Sequence, residues 1–396
     1  MDFNGFKQAV IAYCAQKGIE EYELYYQAVE STSVSAFQHS LNEFTSSMEG
    51  GVCFRCILGG KMGYASTEEL SEASAAAIVE RAADNASVLE ADEPVFLGEG
   101  GKTYLPLERK LYDLPTTEAL IDKVLETQEK LYAANSAVID GTETQGISER
   151  SNIAIYNSKG LDLQYENTVS GLVGAAVVTD GTEMSNDYKI KLGKLDQIDI
   201  DTLAKQTAES ALAKLGGEVA PTGVYPVVFD PKAMSNLLAT FSGIFSSEAA
   251  QKGLSRFADK EGSVVASAVV TLVDDPFHKD NPSPINFDAE GSPTSCKNVI
   301  EAGVLKTLLY NLKTAAVAGK ETTGNASKAG YDASVAVRPF TMYIAPGEKS
   351  EEEMLSGIEK GVYINSLGGL HAGANPITGD FSLQSAGFMI EDGKKT

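Results

Sequence analysis

The sequence predicts an α+β protein: an N-terminal α/β region of helices and curved antiparallel sheet, followed by a mainly antiparallel β C-terminal domain with a few helices. Before residue 218, apolar residues recur at helical spacing between strand-like runs rich in Val, Tyr, Ser and Thr. After it, short strand-like runs alternate with turns rich in Gly, Pro and Asp. Because 396 residues exceed what one core usually serves, we expect domains at 1–218 and 219–396, with a further candidate boundary near 95–110.

The N-terminal elements follow from periodicity and from capping residues. Helices are predicted over residues 3–18, 68–89, 116–134 and 201–215, the last one capped by Asp199 or Asp201. Strands are predicted over residues 23–37, 51–58, 61–65, 137–140, 152–156, 161–165 and 171–179. The pair Gly59-Gly60 predicts a hairpin turn between the second and third of these strands.

The C-terminal elements are shorter. We expect a strand over residues 224–229 and a helix over about 231–245, with Pro231 in its first turn. A long β-rich run over 263–273, a proline-rich loop over 274–293 and a hairpin over 299–311 follow. A short Ala-rich helix, a loop over 319–334, a strand over 340–344 and a helix over 350–358 lead to the last segment.

Composition excludes several classes of protein. The 32 basic and 55 acidic residues give a net charge of −23, which opposes approach to a phosphate backbone, so we expect no direct binding to nucleic acid. No run of about 18 apolar residues predicts a membrane span, and residues 1–18 lack the pattern of a signal peptide. Four cysteines do not make a disulfide framework, which favours a cytoplasmic, reduced location.

Residues 361–393 carry the strongest functional signal. Turn signals at Gly368-Gly369, Asn375-Pro376 and Thr378-Gly379-Asp380 interrupt strand-like runs, which is typical of a wide loop laid over a rigid sheet. An ordinary β-meander with long loops is the alternative interpretation. The candidate substrate- or partner-facing residues of this loop are His371, Asn375, Thr378, Asp380 and Ser382.

The same segment resembles the C-terminal signature of the TldD/PmbA family, the "modulator of DNA gyrase" proteins. The matching pattern is Gly-Val-Tyr, Gly-Gly, Pro-Ile-Thr-Gly-Asp-Phe-Ser, Ser-Ala-Gly-Phe and Ile-Glu-Asp-Gly. Residues 378–382 and 386–388 resemble the PmbA (TldE) branch more than the TldD branch. Members normally continue with a strand-rich tail of a few dozen residues, so either this protein is shorter than other members or such a tail follows Thr396.

The resemblance implies a metallopeptidase whose zinc site is incomplete in this chain. The TldD branch carries His-Glu-x-x-x-His on a helix, with two imidazoles as ligands and a glutamate as general base. Aligning residues 237–244 with that helix places Ala239 and Ile244 at the ligand positions and Thr240 at the base position. We therefore expect no metal and no catalytic residue in this chain, and zinc in a TldD-like partner.

Two other constellations offer weaker chemistry. Asp274, Asp275, His278 and Asp280 could form a Zn or Mg site, although solvated acidic loops are commoner. Cys53-x-x-Cys56 lies in a strand-like run, where positions three apart point to opposite faces, so buried free thiols are favoured over a redox pair.

The motif Asp288-Ala289-Glu290-Gly291 resembles a sequence that both branches of the family share. Two carboxylates before a glycine could serve acid/base chemistry, or they could hold a turn by accepting backbone N–H bonds. Because the motif also occurs in the branch without zinc ligands, we favour the structural role for Asp288, Glu290 and Gly291.

Three functions follow as hypotheses. The first is the PmbA/TldE-like subunit of a cytoplasmic metallopeptidase that acts on unfolded peptides, paired with a TldD-like subunit and supplying cavity wall and peptide docking. The second is a non-enzymatic, homodimeric peptide- or partner-binding regulator. The third, weaker hypothesis is an autonomous hydrolase that uses Asp288 and Glu290.

Overall fold

The computed structural model describes residues 1–90, 93–107 and 111–396. The chain forms two compact units. Unit 1 comprises Met1–Gly217 together with Asp280–Ile285 and Lys328–Ser334, and unit 2 comprises the remaining segments from Glu218 onward. The candidate boundary near 95–110 lies partly outside the described residues, since 108–110 are not among them.

Unit 1 is built on a six-stranded antiparallel sheet with the strand order β3-β2-β1-β4-β5-β6. Its strands are β1 (Tyr22–Phe37), β2 (Ser40–Leu58), β3 (Lys61–Thr67), β4 (Glu143–Asn157), β5 (Asp162–Thr179) and β6 (Met184–Leu192). Strands β1 to β3 form one half of the sheet and strands β4 to β6 the other, and each half is connected by hairpins. Residues between β3 and β4 form two of the helices.

The strands are longer than the sequence predicts. The predicted runs at 152–156 and at 161–165 and 171–179 are parts of the continuous strands β4 and β5, and β6 was not predicted. The predicted strand at 137–140 is wrong, because only Val138 forms a bridge there, to Val178. Gln38 and His39 adopt positive φ values of 48° and 62°, which turns β1 into β2 without a glycine.

The four predicted helices of unit 1 are confirmed. They are α1 (Phe3–Lys17), α2 (Glu72–Val88), α3 (Thr117–Ala134) and α4 (Ile200–Leu212). Each begins after a side chain that accepts a first-turn N–H: Asp2, Ser71, Thr116 and Asp199, respectively. Gly18, at φ 69°, ends α1 in the left-handed conformation that a glycine adopts at low cost.

Helices cover one face of this sheet with apolar side chains. Phe6 of α1 and Ile78 of α2 pack with Phe54 of β2, and all three are fully buried. Leu120 and Val124 of α3 pack with Val34 and Leu172 in a second cluster. Burial of each such side chain stabilises the fold by roughly 1.5–3 kcal/mol, which explains why amphipathic periodicity predicted these helices.

Unit 2 contains ten strands in three sheets, counted over the described residues, and most of these strands are short. The strands are β7 (Val227–Phe229), β8 (Leu272–Asp274), β9 (Lys297–Glu301), β10 (Val304–Leu305), β11 (Ala326–Ser327), β12 (Ala336–Val337), β13 (Met342–Ile344), β14 (Lys360–Gly368), β15 (Gln384–Glu391) and β16 (Lys394–Lys395). The sheet orders are β10-β9-β8-β13, β11-β12 and β16-β15-β14-β7. All pairs are antiparallel except β7 with β14.

The helices of unit 2 are short. They are α5 (Pro231–Phe241), α6 (Ser247–Gln251), α7 (Leu312–Ala318), α8 (Glu351–Ser356) and α9 (Leu370–Gly373). The main core contains Phe245, Leu272, Val299, Leu305 and Leu309. Architecture and topology therefore confirm the predicted α+β class, with a sheet-rich second half.

The predicted β-rich run at 263–273 is wrong for most of its length. Only its last two residues enter β8, and Val264 makes an isolated bridge to Val304. The backbone there bonds instead to the β9–β10 hairpin, through Val265 N to Gly303 O at 2.8 Å and Leu305 N to Ser263 O at 3.0 Å. Val269 is 89% exposed, so high β propensity alone does not make a strand where no neighbour covers the side chains.

Within the described ranges, every helix is too short or too polar to cross a membrane.

Candidate functional site

The helix that aligns with the family's zinc helix begins directly after β7. Asp230 caps it by accepting a bond from Lys232 N at 2.8 Å, and Pro231 occupies its first turn. The α-helix ends at Phe241, and residues Ser242–Phe245 continue as a 3₁₀ turn. The predicted helix to 245 is thus correct in place, but its last turn is tighter than an α-helix.

None of the three side chains at the zinc positions can act as a metal ligand or a general base. Ala239 is exposed and carries only a methyl group. Thr240 donates its hydroxyl to Asn236 O at 2.8 Å, within the same helix. Ile244 packs against the main core of unit 2. The donor set therefore does not fit zinc, which requires imidazole, thiolate or carboxylate ligands.

We use the name loop 371–382 for the segment predicted to face a substrate or partner. Its first residues, including His371, are helical and belong to α9, and its own polar groups hold the remainder. Asn375 Oδ1 accepts bonds from Ile377 N at 3.0 Å and Thr378 N at 3.2 Å. Thr378 Oγ1 accepts from Asp380 N at 3.3 Å, and Asn375 N donates to Asp380 O at 2.8 Å. Gly379 has φ 78°, a conformation that favours glycine.

The five candidate residues in this loop thus fall into two groups. Asn375 and Thr378 use their side chains to shape the loop. Asp380 joins through its backbone, while the side chains of His371, Asp380 and Ser382 lie on the exposed part of the loop. The structure therefore brings all five onto one surface feature.

Loop 371–382 lies against the C-terminal end of α5. The rings of Phe381 and Phe241 are 6.0 Å apart, and Phe241 directly follows Thr240. Arg256 Nη1 donates to Thr378 O at 2.6 Å. An open depression of about 760 Å³ is lined by residues 372–377 and 380–382. The helix with the zinc-motif positions and the signature loop, predicted separately, thus lie next to each other.

Sequence reasoning missed Phe241 and Arg256. Phe241 is one of several apolar residues in an amphipathic helix, and Arg256 stands in a segment with no motif. Their partners lie more than 120 positions away along the chain, so no local pattern could have found them.

The acidic loop at 274–280 does not form the metal site considered from the sequence. Asp274 is fully buried and accepts bonds from Phe340 N at 2.8 Å, Thr341 N at 3.1 Å and Asn325 Nδ2 at 2.8 Å. His278 instead packs its ring 4.9 Å from that of Tyr343. Across the described chain, no cluster of three or more His, Cys, Asp or Glu side chains could hold a metal ion.

Asp274 also contacts a buried lysine. Lys297 Nζ lies 3.5 Å from Asp274 Oδ2 and donates to Asn325 Oδ1 at 3.1 Å. Burial lowers the pKa of Lys297, and the neighbouring Asp274 acts in the opposite direction. These groups join β8, β9 and the segment before β11 into one polar network.

The shared family motif at 288–291 is also buried. Asp288 Oδ1 accepts from Glu290 N at 2.9 Å and Ser292 N at 2.8 Å, and Asp288 Oδ2 accepts from Ala326 N at 2.9 Å. Glu290 Oε2 accepts from Leu312 N at 2.8 Å, at the start of α7. Gly291 has φ 72°. The two carboxylates are only 1% and 4% exposed, and their bonds to backbone N–H groups hold the turn and α7 in place.

The cysteines are free, and the thiols of Cys14, Cys53 and Cys56 are buried. Cys56 belongs to the core beneath the helices, whereas Cys53 lies on the other face of β2. Burial raises the pKa of the Cys14 thiol to about 12 and that of Cys56 to about 11. Burial also raises the pKa of Cys53.

We expect one thiol, Cys296, to react with a water-soluble disulfide reagent at pH 8 in the folded protein, and all four after denaturation. The reason is that the three other thiols are inaccessible and almost fully protonated. Titration with Ellman's reagent, repeated on Cys296→Ser, measures this. Two or more thiols reacting before unfolding would contradict the described packing.

Comparison with known families assigns the chain to a class of proteins. Residues 22–86 match the PmbA/TldA metallopeptidase domain 1, residues 111–215 the central domain, and residues 222–396 the C-terminal domain. The matched protein class is therefore that of metallopeptidases. The chain belongs to the PmbA/TldD family, as its C-terminal signature predicted.

Individual relatives agree with this assignment. A Methanothermobacter thermautotrophicus protein named metalloprotease is 28% identical over 381 residues, which are 92% of this chain and 80% of the relative. A Thermotoga maritima crystal structure, of a protein with a suggested role in modulating a DNA gyrase, is 30% identical with a TM-score of 0.90. That match covers 100% of this chain and 90% of the other.

Crystallographic TldE from Thermococcus kodakarensis has the same fold. Its TM-score is 0.89 at 23% identity, with 98% of this chain and 89% of the other covered. At this identity the match supports the fold and carries no functional assignment by itself.

Proposed function

We propose that this chain is the PmbA/TldE-like, non-catalytic subunit of a cytoplasmic TldD/TldE-type metallopeptidase that acts on unfolded peptides. A TldD-like partner would hold the zinc, and this chain would supply cavity wall and peptide docking. The observation that carries the proposal is the helix end itself. The chain has the family's fold, but at the end of α5 and in the turn after it Ala239, Thr240 and Ile244 occupy the positions where the family's zinc motif has two imidazoles and a carboxylate.

The contact between loop 371–382 and α5 supports a docking role. The loop's outer side exposes Ile377 (47%) and Phe381 (50%) beside polar main-chain groups. Such a surface suits an extended peptide, because main-chain bonds supply affinity that does not depend on sequence and apolar side chains add contact area. Arg256 would keep the loop in position through its bond to Thr378 O.

The test is reconstitution with a TldD-like subunit from the same cell. We expect neither zinc above background nor peptidase activity in this chain alone, measured by mass spectrometry of metals and by hydrolysis of an unfolded protein such as casein. We expect activity in the mixture, with zinc that remains on the partner after the two chains are separated. Stoichiometric zinc and activity in this chain alone would overturn the proposal.

The same assay distinguishes the second hypothesis. For a homodimeric regulator, the addition of a TldD-like subunit would produce no change in hydrolysis. That outcome would replace the proposed role by a non-enzymatic one.

We expect Phe381→Ala and Arg256→Ala each to lower kcat/KM of the mixture by about tenfold, equivalent to roughly 1.4 kcal/mol of lost transition-state binding. Phe381→Ala removes the contact with Phe241, and Arg256→Ala releases the loop from Thr378 O. Zinc content should stay unchanged. Met354→Ala, which truncates an exposed apolar side chain of α8, is the control and should leave kcat/KM unchanged.

A further inference from the structure

The sheet of unit 1 has one face that helices cover and one face that they leave open. Along β4, Thr144, Gly146 and Ser148 are buried, and a Cβ at Gly146 would lie 2.5 Å from Val124 of α3. The alternate residues Gln145, Ile147 and Glu149 are exposed. Because side chains alternate along a strand, these residues define the open face, meaning the side of the sheet away from α3 and α4.

The strand register shows which residues share the open face. One row across the sheet is Thr45, Ser33, Ile147, Gly171 and Leu192, and the next is Glu43, Ser35, Gln145, Val173 and Ile190. Ile147 is 37% exposed, Ile190 51% and Leu192 49%. The β5–β6 side of the open face is therefore an exposed apolar patch.

Among the described residues, segments from later in the sequence cover the other end of this face. Lys328 Nζ lies 4.6 Å from the centroid of the Tyr25 ring, and a Cβ at Gly51 would meet the ring of Tyr331. Asn167 Nδ2 donates to Ser283 Oγ at 2.5 Å. The rows that contain Ile147 and Ile190 lie beyond these contacts, and their apolar side chains remain exposed.

At the apolar end of the open face, the charged strand positions all carry negative charge. We consider the rows of paired residues from the one that contains Val29 to the one that contains Phe37. Among the described residues of these rows that lie on the open face, the charged ones are Glu43, Glu49, Glu143 and Glu149, and none is Lys or Arg. Lys189 and Lys191 of β6 occupy the alternate positions and belong to the helix-covered face. Glu149 follows Ile147 by two residues, which is about 7 Å along a strand.

The charge pattern decides between possible occupants. A second copy using the same patch would place these glutamates opposite their own equivalents, in a protein whose net charge is already −23. A polypeptide with Lys or Arg interleaved with apolar residues would pair with the glutamates and cover Ile147, Ile190 and Leu192.

We propose that the open face binds basic polypeptide segments in which Lys or Arg alternates with apolar side chains over the contact. This proposal rests on the proposed function and narrows it, because it names the chemical class of peptide that unit 1 recruits. Charge attraction would speed the encounter, and burial of the apolar patch would hold the segment.

The test uses fluorescein-labelled nonapeptides and the isolated chain, with binding followed by fluorescence anisotropy. We expect a Lys/Ile peptide to bind about tenfold more tightly than a Glu/Ile or a Lys/Ser peptide of the same length. The affinity for the Lys/Ile peptide should fall as added salt screens the charges. Glu143→Gln with Glu149→Gln, and Ile147→Ser with Ile190→Ser, should each weaken this binding at least fivefold.

The control is Asp122→Asn with Glu129→Gln, which removes the same net charge from exposed positions on α3 and should leave binding unchanged. Thermal unfolding verifies that all variants are folded. Equal binding of the Lys/Ile and Glu/Ile peptides, or equal weakening by the control, would overturn the proposal. A change of oligomeric state in the Ile147/Ile190 variant without peptide binding would also overturn it, in favour of self-association.

These outcomes are separable from those of the proposed function. Peptide binding is measured on this chain without a partner, whereas the subunit role is measured as hydrolysis in the mixture. Loss of selective peptide binding with an active mixture would reject only the recruitment surface. Selective binding with an inactive mixture would reject only the subunit role.

Discussion

Replacement of Asp274 by alanine is expected to destabilise unit 2 by about 4 kcal/mol, because it removes the acceptor of several buried donors at once. Two backbone N–H groups, those of Phe340 and Thr341, lose their partner, as does the amide of Asn325. Lys297 would lose its neighbouring carboxylate while remaining largely buried. An unpaired buried donor costs about 1–3 kcal/mol, and incomplete relaxation keeps the total below the simple sum.

The measurement is equilibrium unfolding in urea together with hydrogen exchange. The amides of Phe340 and Thr341 should lose protection by about a thousandfold, equivalent to roughly 4 kcal/mol. Asp274→Asn should cost about half as much, since Oδ1 accepts both backbone bonds and an amide oxygen can replace it. Asp275→Asn is the matched control. If it destabilised the protein as much as Asp274→Ala, the network would not be the cause.

The pH dependence has a definite sign. The folded-state pKa of Lys297 is below its ordinary value. At pH values between the folded-state and the unfolded-state pKa, the unfolded chain therefore binds more protons than the folded chain, and stability rises with pH. The contribution of Lys297 to stability is least favourable below the folded pKa and recovers as pH approaches the unfolded value. Asp274→Ala should lower the folded pKa further and extend this window towards lower pH.

The example of Asp274 also shows what the sequence could not reveal. From the sequence it is the first acidic residue of a proline-rich loop, and its partners are supplied by residues 297, 325, 340 and 341. Because burial and hydrogen bonding here depend on distant segments, the sequence alone does not distinguish a buried, hydrogen-bonded aspartate from a solvated one in a loop. For the same reason, the sequence suggested a metal site in this loop that the described residues do not form.

Helices with an apolar stripe and a capping residue were predictable, because α1 to α4 follow local rules that the tertiary structure does not override. The sheet was less predictable. Residues 40–49 of β2 are largely exposed and lack the alternation that marks a half-buried strand. Residues 188–192 of β6 do alternate, but their apolar side chains lie on an exposed face. Their place in the sheet is set by pairing with β1 and β5.

The candidate site was predictable only in parts. The turn residues of loop 371–382 and the missing zinc donors are local features, and both were read from the sequence. That the two lie together depends on the Phe241–Phe381 and Arg256–Thr378 contacts, which join segments far apart in the chain.

Asp288→Ala is expected to destabilise unit 2 by about 4 kcal/mol, whereas Glu290→Gln should cost about 1 kcal/mol or less. Both oxygens of Asp288 are occupied by backbone donors, from Glu290, Ser292 and Ala326, in a site that is 1% exposed. Glutamine at position 290 retains an oxygen that can accept the bond from Leu312 N. The difference arises because three buried N–H groups lose their acceptor in the first variant and none in the second.

The same pair of variants separates a structural role from acid/base catalysis. Urea unfolding gives the stability change, and hydrolysis by the reconstituted mixture is compared per folded molecule. If the carboxylates hold the turn and α7, Glu290→Gln should retain full activity, and Asp288→Asn should lose activity only as far as it unfolds. A hundredfold fall in activity of fully folded Glu290→Gln would instead mean that this carboxylate takes part in proton transfer, since general acid–base groups contribute about that factor or more. The buried position of Glu290, 4% exposed and bonded to the first residue of α7, makes the structural outcome the expected one.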